Sequence, residues 1–385
     1  MNGSKINIWK QDPSIAYPHI RPVYLHGDIK DGPEDEFIVN WFKNDPSNGL
    51  EYVAKKDKEG NFNYKANKSP GPFDVAHAYA VSRIVLNMYR RALYQTGVSL
   101  KEGERDKNGL YNFSKRWESK LRLNVYAFNK GKSVYVNKSQ NVILFGFIKN
   151  GDKTIYTCRS FDVVAHETGH AVFYALRKEH EGYANLQTRV IEESFCDLTI
   201  ILALLSQLDM CDTVISMCQM NLWNPNFLSR IAEQFGKHCK TEHGEALRCI
   251  IDEDYCAQMR KKPLIFTTIH DHSINFTGAI YEFLVTIFQR QLDPLRENPA
   301  ERLFKYAKKV TSWVIGIFYE TAIYPQLSYS ILVEEMFSDK YKQRLQLSEW
   351  DWAYWKGIMI IILRKREIVH INEITCDRFS PDKPT

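Results

Sequence analysis

Residues 163–172 read Val-Val-Ala-His-Glu-Thr-Gly-His-Ala-Val, and His166, Glu167 and His170 within that run are the side chains with the clearest chemistry. The apolar neighbours favour a helix, on which His166 and His170 lie one turn apart and about 40° from each other. Two imidazoles so placed can each give a nitrogen to one Zn²⁺, with Glu167 near the position left open. A carboxylate there can take a proton from metal-activated water, which is the chemistry of assisted hydrolysis. Such a site needs a third protein ligand.

Glu192-Glu193-Ser194-Phe195-Cys196-Asp197 offers one. Glu193 lies 23 residues after His170, room for a loop and the first turns of a second helix. A set of two histidines and one glutamate is a known catalytic zinc combination. Asp197 is four residues further on, hence on the same face, where it can accept the free N–H of a zinc-bound histidine and fix its tautomer. The apolar run Leu198 to Leu205 marks the rest of this helix as buried. Carboxylates on the buried side of a helix require a cation or donors.

With these two segments the chain resembles the thermolysin-like zinc metallopeptidases, the gluzincins. Asp162 to Val172 matches the family's first metal helix, and Glu192 to Asp197 matches its N-E-x-x-S-D pattern with Glu192 in place of Asn and Cys196 in place of Ser. The resemblance implies His166, His170 and Glu193 as zinc ligands, Glu167 as general base and Asp197 as the acceptor behind the first histidine. It implies a two-lobed α+β zincin fold, with an α/β first lobe and a mainly helical second one. His270-Asp271-His272-Ser273-Ile274-Asn275-Phe276-Thr277-Gly278-Ala279 is similar to an H-D-x-S-x-x-F-T-G-A element of shorter bacterial relatives. The resemblance is specific over residues 161–208, fair over about 120–290 and faint elsewhere.

Further roles follow only from that resemblance. His270 or His272 would stabilise the oxyanion of the transition state, with Tyr183, in the loop between the metal helices, as a second donor. Asn124-Val125-Tyr126-Ala127 would be an exposed edge strand that pairs with the substrate backbone. Asp162 matches a calcium-ligand position, but no acidic cluster near Leu204 completes it.

The elements that must hold these residues are legible from periodicity. Phe73 to Tyr94 repeats apolar residues at three- and four-residue spacing, a long helix on which His77 is read as a packed or surface residue. Residues 121–155 read as strands, with Leu121 to Phe128 alternating, residues 133–136 and 142–148 following, and Gly131 and Asn137 as hairpin signals. Helices are expected at 187–208, 212–219, 226–239, 274–292, 298–321, 328–344 and 348–366. The expected division is a polar extension over 1–70, an α/β lobe over 71–172 ending in the zinc helix, and a mainly helical portion over 173–385.

Composition limits the partners. The chain has 385 residues with 44% hydrophobic and 13% aromatic content, enough for a sizeable core. Its 51 basic and 46 acidic residues leave a net charge of +5, and basic runs such as Lys55-Lys56-Asp57-Lys58 are interrupted by acids, so nucleic acid is not expected. No apolar stretch approaches a membrane span, and residues 1–9 lack the apolar centre of a secretory signal. Eight cysteines without framework spacing read as reduced thiols of a cytoplasmic chain. A peptide or protein is the expected substrate. The rivals are a catalytically silent peptide-binding module and a closed structural metal site recruiting His180.

Overall fold

The computed structural model describes residues 3–13, 19–40, 53–100, 104–126, 134–150, 153–180, 184–232, 248–251, 269–290 and 292–368. The architecture is α+β, with small sheets set against long helices. β1 (Gly3–Trp9) and β2 (Ile20–His26) form an antiparallel hairpin. Ser4, Ile6 and Ile8 alternate onto its buried face, because strand side chains repeat every two residues. That hairpin packs against α1 (Pro70–Gln95), which opens on a proline and is buried along most of its length. Ile29, Phe37 and Phe62 are fully buried in the same core. The stretch expected as a polar extension thus supplies core side chains.

The central sheet has four strands, β3 (Ile38–Asn40), β4 (Leu121–Val125), β5 (Val134–Asn137) and β6 (Val142–Phe145), in the order β3-β4-β6-β5. β4 runs parallel to both β3 and β6, and only β5 is antiparallel. A separate hairpin follows Gly146, formed by β7 (Phe147–Asn150) and β8 (Lys153–Tyr156). One strand–turn–strand reading of 121–155 is therefore corrected. The Asn137–Asn141 turn joins β5 to β6, whereas β4 and β5 are not partners and Gly131 lies outside the described residues.

α2 (Phe113–Trp117) precedes the sheet's second strand, and α3 (Phe161–Leu176) carries the two histidines. Ser160 caps α3 by accepting from the Val163 amide at 3.3 Å. Asp162, in its first turn, is buried and accepts from Gln11 Nε2 at 2.6 Å and the Ala232 amide at 2.9 Å. Neutral donors thus occupy the carboxylate that the resemblance associates with calcium. His77 on α1 is fully buried, accepts from the Trp9 amide and lies flat on Phe73. Burial, then Arg159, holds its pKa down near about 3, so it is a neutral packing residue.

α4 (Leu186–Leu205) is capped by Asn185 and buried nearly all round. It packs between α3 and α6 (Ile269–Gln289) and is followed in the chain by α5 (Leu208–Met217). α7 (Pro299–Thr321) and α10 (Glu349–Lys365) match the expected helices, while the expected 328–344 helix is two pieces, α8 (Tyr329–Met336) and α9 (Lys340–Arg344). Asp339 at that break accepts from Trp352 Nε1 at 2.7 Å, which fixes the turn. The expected 226–239 helix is corrected over its first part: residues 226–229 turn, and β9 (Arg230–Ile231) pairs with β10 (Arg248–Cys249), while residues 233–239 lie outside the described residues. No single helix among the described residues is long and apolar enough to cross a membrane. Cys158, Cys196, Cys211, Cys218 and Cys249 are free thiols.

The crossing of α3 and α4 depends on Gly169. A Cβ there would sit 2.9 Å from Thr199 Oγ1 and 3.1 Å from Cys196 Cα. Alanine is the better helix former by about 1 kcal/mol, yet overpacking a tight core contact costs about 1–3 kcal/mol, and a backbone Cα cannot swing aside. Gly169→Ala should therefore lower the thermal unfolding midpoint. A midpoint equal to or above that of the parent protein would show that the two helices separate freely at this crossing.

Candidate metal centre

Three helices and a two-residue strand supply the candidate site. From α3 come His166, Glu167 and His170; from α4 come Glu192, Glu193, Cys196 and Asp197; the first turn of α6 supplies His270; β10 contributes Arg248. His166, Glu167, Glu193 and Asp197 are each under one-tenth exposed. The 3.6-residue repeat aligns His166 with His170 and Glu193 with Asp197, and the α3–α4 crossing brings the two faces together.

Glu193 lies between the two histidines. Its Oε2 is 3.2 Å from His166 Nε2 and its Oε1 is 3.7 Å from His170 Nε2. Ligand atoms about 2.0–2.1 Å from a tetrahedral ion stand about 3.3 Å apart, so these spacings are near those of a coordinating set. Glu193 Oε2 is buried and receives no well-aligned hydrogen bond. The imidazole nitrogens of His166 and His270 stand 3.2 and 2.8 Å from it but outside good hydrogen-bond geometry, an arrangement that suits a shared cation.

Each histidine is held from behind at Nδ1. Asp197 Oδ1 stands 3.1 Å from His166 Nδ1, and Glu192 Oε1 stands 2.8 Å from His170 Nδ1. Both rings can donate Nδ1–H to these carboxylates, leaving Nε2 free for a metal. The Glu192 contact was not expected from sequence, where that residue was only a departure from the resembled pattern. Asp197 in turn accepts from Arg248 Nη1 and from Ser273 Oγ at 3.1 Å. Arg248 is the second residue that sequence reasoning missed; it is a lone buried arginine far along the chain with no motif around it.

The electrostatics favour a cation. Among the described residues, Glu167, Glu192, Glu193 and Asp197 are buried together, with the Arg248 guanidinium on Asp197, which leaves the pocket acidic when both imidazoles are neutral. Burial opposes charging of His166, yet the contacts with Asp197 and Glu193 outweigh it and raise its pKa to about 10. His170 moves the same way, burial again being outweighed by Glu192 and Glu193. Protons thus stand in for the missing positive charge.

Cys196 also converges on this space, with ligand atoms of His166, His170 and Cys196 all within 4.8 Å of one another. Zinc takes the thiolate, not the thiol. Burial, then the neighbouring carboxylates, pushes the Cys196 thiol well above its ordinary range. The carboxylate of Glu193 is the readier ligand.

The remaining sequence candidates divide. His270 Nδ1 lies 2.8 Å from Glu193 Oε2 and 2.7 Å from Arg248 Nη2, so it joins the site. His272 is turned about 200° round the helix from it and is governed by burial and Asp271. Tyr183 and Ala127 lie outside the described residues. Asn124, Val125 and Tyr126, read as an exposed edge strand, are buried. β4 pairs with β3 over residues 121–123, while Asn124 and Val125 pair with Leu144 and Phe145 of β6 and residues 41–52, which follow β3, lie outside the described residues. Tyr126 leaves the strand at a φ of 67° and bonds its hydroxyl to Asp74. The antiparallel strand at the sheet's end is β5, which packs on α3. His180, the possible fourth ligand, is bonded through Nε2 to the Ile323 carbonyl at 2.7 Å.

No protein-family model matches the chain, and no curated protein matches it.

Proposed function

We propose that this protein is a zinc-dependent metallopeptidase of thermolysin-like type, with the two-lobed zincin arrangement and a peptide or protein substrate. The observation that carries the reading is Glu193 seated between the Nε2 atoms of His166 and His170, with Asp197 and Glu192 at the two Nδ1 atoms. His166, His170 and Glu193 would hold the metal. A zinc ion there would supply Lewis acidity, polarising a carbonyl and making water nucleophilic near neutral pH.

The chain's own groups do the rest. Glu167 is buried and has no hydrogen-bond partner among the described residues, so its carboxylate is free to accept a proton and pass it to the leaving amine. Arg248 is permanently charged and can only donate; its bond to His270 Nδ1 makes that nitrogen an acceptor and puts the ring proton on Nε2. The exposed side of His270 can then donate to a developing oxyanion. A cytoplasmic setting agrees with the free thiols.

Incubating the zinc-loaded protein with a proteome-derived peptide library and sequencing the cut sites tests this reading. Cuts that vanish on chelation and return with zinc are expected. A library left intact by loaded protein would instead favour the peptide-binding module.

The carboxylates behind the histidines give a separate prediction. Asp197→Ala and Glu192→Gln should each keep the fold and lower zinc affinity about 10–100-fold, as for other residues that orient ligands. Competition with a chromogenic chelator measures it. Parent-like affinity in both variants would reduce the two contacts to packing.

A further inference from the structure

Beside the candidate site lies a cavity of about 480 Å³, bounded by α2, β5 and the turn after it, the C-terminal half of α3 and the start of α4. Glu192 belongs to both spaces: it contacts His170 and also lines the cavity. Cations dominate the wall, with Arg116, Arg122, Lys138, Arg177 and Lys178 against Glu118 and Glu192. Some of that charge is already matched. Arg116 pairs with Glu179, and Lys178 with Glu118 at 2.7 Å.

Arg177 and Lys138 are different. Arg177 is 7% exposed, gives Nη2 to the Pro325 carbonyl at 2.9 Å and stacks on Phe173. Its Nη1 is buried with no hydrogen-bond partner. Leaving a guanidinium N–H unsatisfied away from water is costly, and no described residue relieves it. Glu192, the nearby acid, is engaged by His170 and by Tyr174. The Lys138 ammonium stands 3.8 Å above the Tyr174 ring, exposed at the cavity's rim. The cavity thus has a buried guanidinium in its wall and an exposed ammonium at its rim, a pairing that suits an anionic group, and the planar fork suits a carboxylate.

We propose that this cavity is a subsite for a substrate carboxylate, carried by an Asp or Glu side chain or by the chain terminus. The inference rests on the hydrolase reading for its substrate but not for its test, which reads binding. Zinc-loaded Glu167→Gln protein is titrated with fluorescent peptides that differ only in Asp against Asn, or in a free against an amidated C-terminus. The peptide with the preferred carboxylate should bind about 10–100-fold more tightly than its neutral counterpart, the scale of a charge-assisted hydrogen bond. The Asp–Asn pair and the amidation pair identify which carboxylate is read. Added to Glu167→Gln, Arg177→Gln or Lys138→Glu should collapse that ratio. Lys138 is exposed, so its variant should fold even where loss of Arg177 does not. Equal affinity across the peptides overturns the proposal, as does an acid preference undiminished in both variants. Acid-selective binding by a wild-type protein that cleaves nothing supports the subsite and removes the peptidase.

Discussion

Glu167→Gln should keep its zinc and its thermal stability while peptide hydrolysis falls by at least about 10²-fold, the scale of a lost general base. The substitution preserves shape and removes only the basic oxygen. Glu167 is buried beside His166 but donates to and accepts from no described residue, so no hydrogen bond is broken. It also stands in a pocket with a surplus of carboxylates, and a neutral amide relieves that repulsion. A structural glutamate would behave oppositely, costing stability and leaving turnover. The measurement is kcat/KM with zinc content and unfolding midpoint on the same preparation. Hydrolysis at the parent rate would remove Glu167 from the mechanism and the mechanism with it. His270→Ala should cost turnover about 10²-fold through the lost oxyanion donor, and His272→Ala little, because only His270 is oriented by Arg248 at 2.7 Å.

The parts of this site visible in the sequence are those set by spacing within one helix. His166, Glu167 and His170 are fixed relative to one another by the 3.6-residue repeat, as are Glu193 and Asp197. Tertiary structure only had to bring two such faces together, and the small Gly169 at the crossing permits it. Arg248 has no such local signature. It sits on a two-residue strand whose partner is Ile231, and its role exists only because that strand ends beside α4 and α6. Glu192 was visible as a residue but not as a partner of His170, since its side chain faces a different part of α3 than Glu193 does.

The sheet shows the same limit from another side. Alternation in β4 and short apolar runs in β5 and β6 marked them as strands, because such patterns are local. Which strands have partners on both sides is decided by pairing at long range: β3, far earlier in the chain, inserts beside β4 and covers residues 121–123. The N-terminal residues were misjudged for a related reason. Ile6, Ile8 and Leu25 are separated by polar residues that the strand period turns outward, so a mean over the segment reads polar while one face is core.

His170→Ala should reduce bound zinc from about one per chain to a small fraction, since a catalytic site with two remaining ligands loses most of its affinity. The electrostatics add a pH signature. In the metal-free protein the His166 pKa is raised to about 10, so at neutral pH its imidazole carries a proton that zinc must displace. Zinc affinity should then climb about tenfold per pH unit for that proton, and more steeply where His170, also raised, is charged as well. Calorimetric enthalpies of loading should change with the ionisation enthalpy of the buffer. Stability without metal follows the opposite course. A histidine whose folded pKa exceeds its unfolded value of 6.5 contributes stability that is complete below about pH 6.5 and is lost as pH rises through about 10. Chelated protein should therefore lose thermal stability between neutral pH and pH 10, while the zinc-loaded form, whose cation replaces those protons, should hold steady. Proton-independent loading together with undiminished zinc in His170→Ala would place the metal elsewhere and leave His166, His170 and Glu193 as a proton-bridged ion cluster.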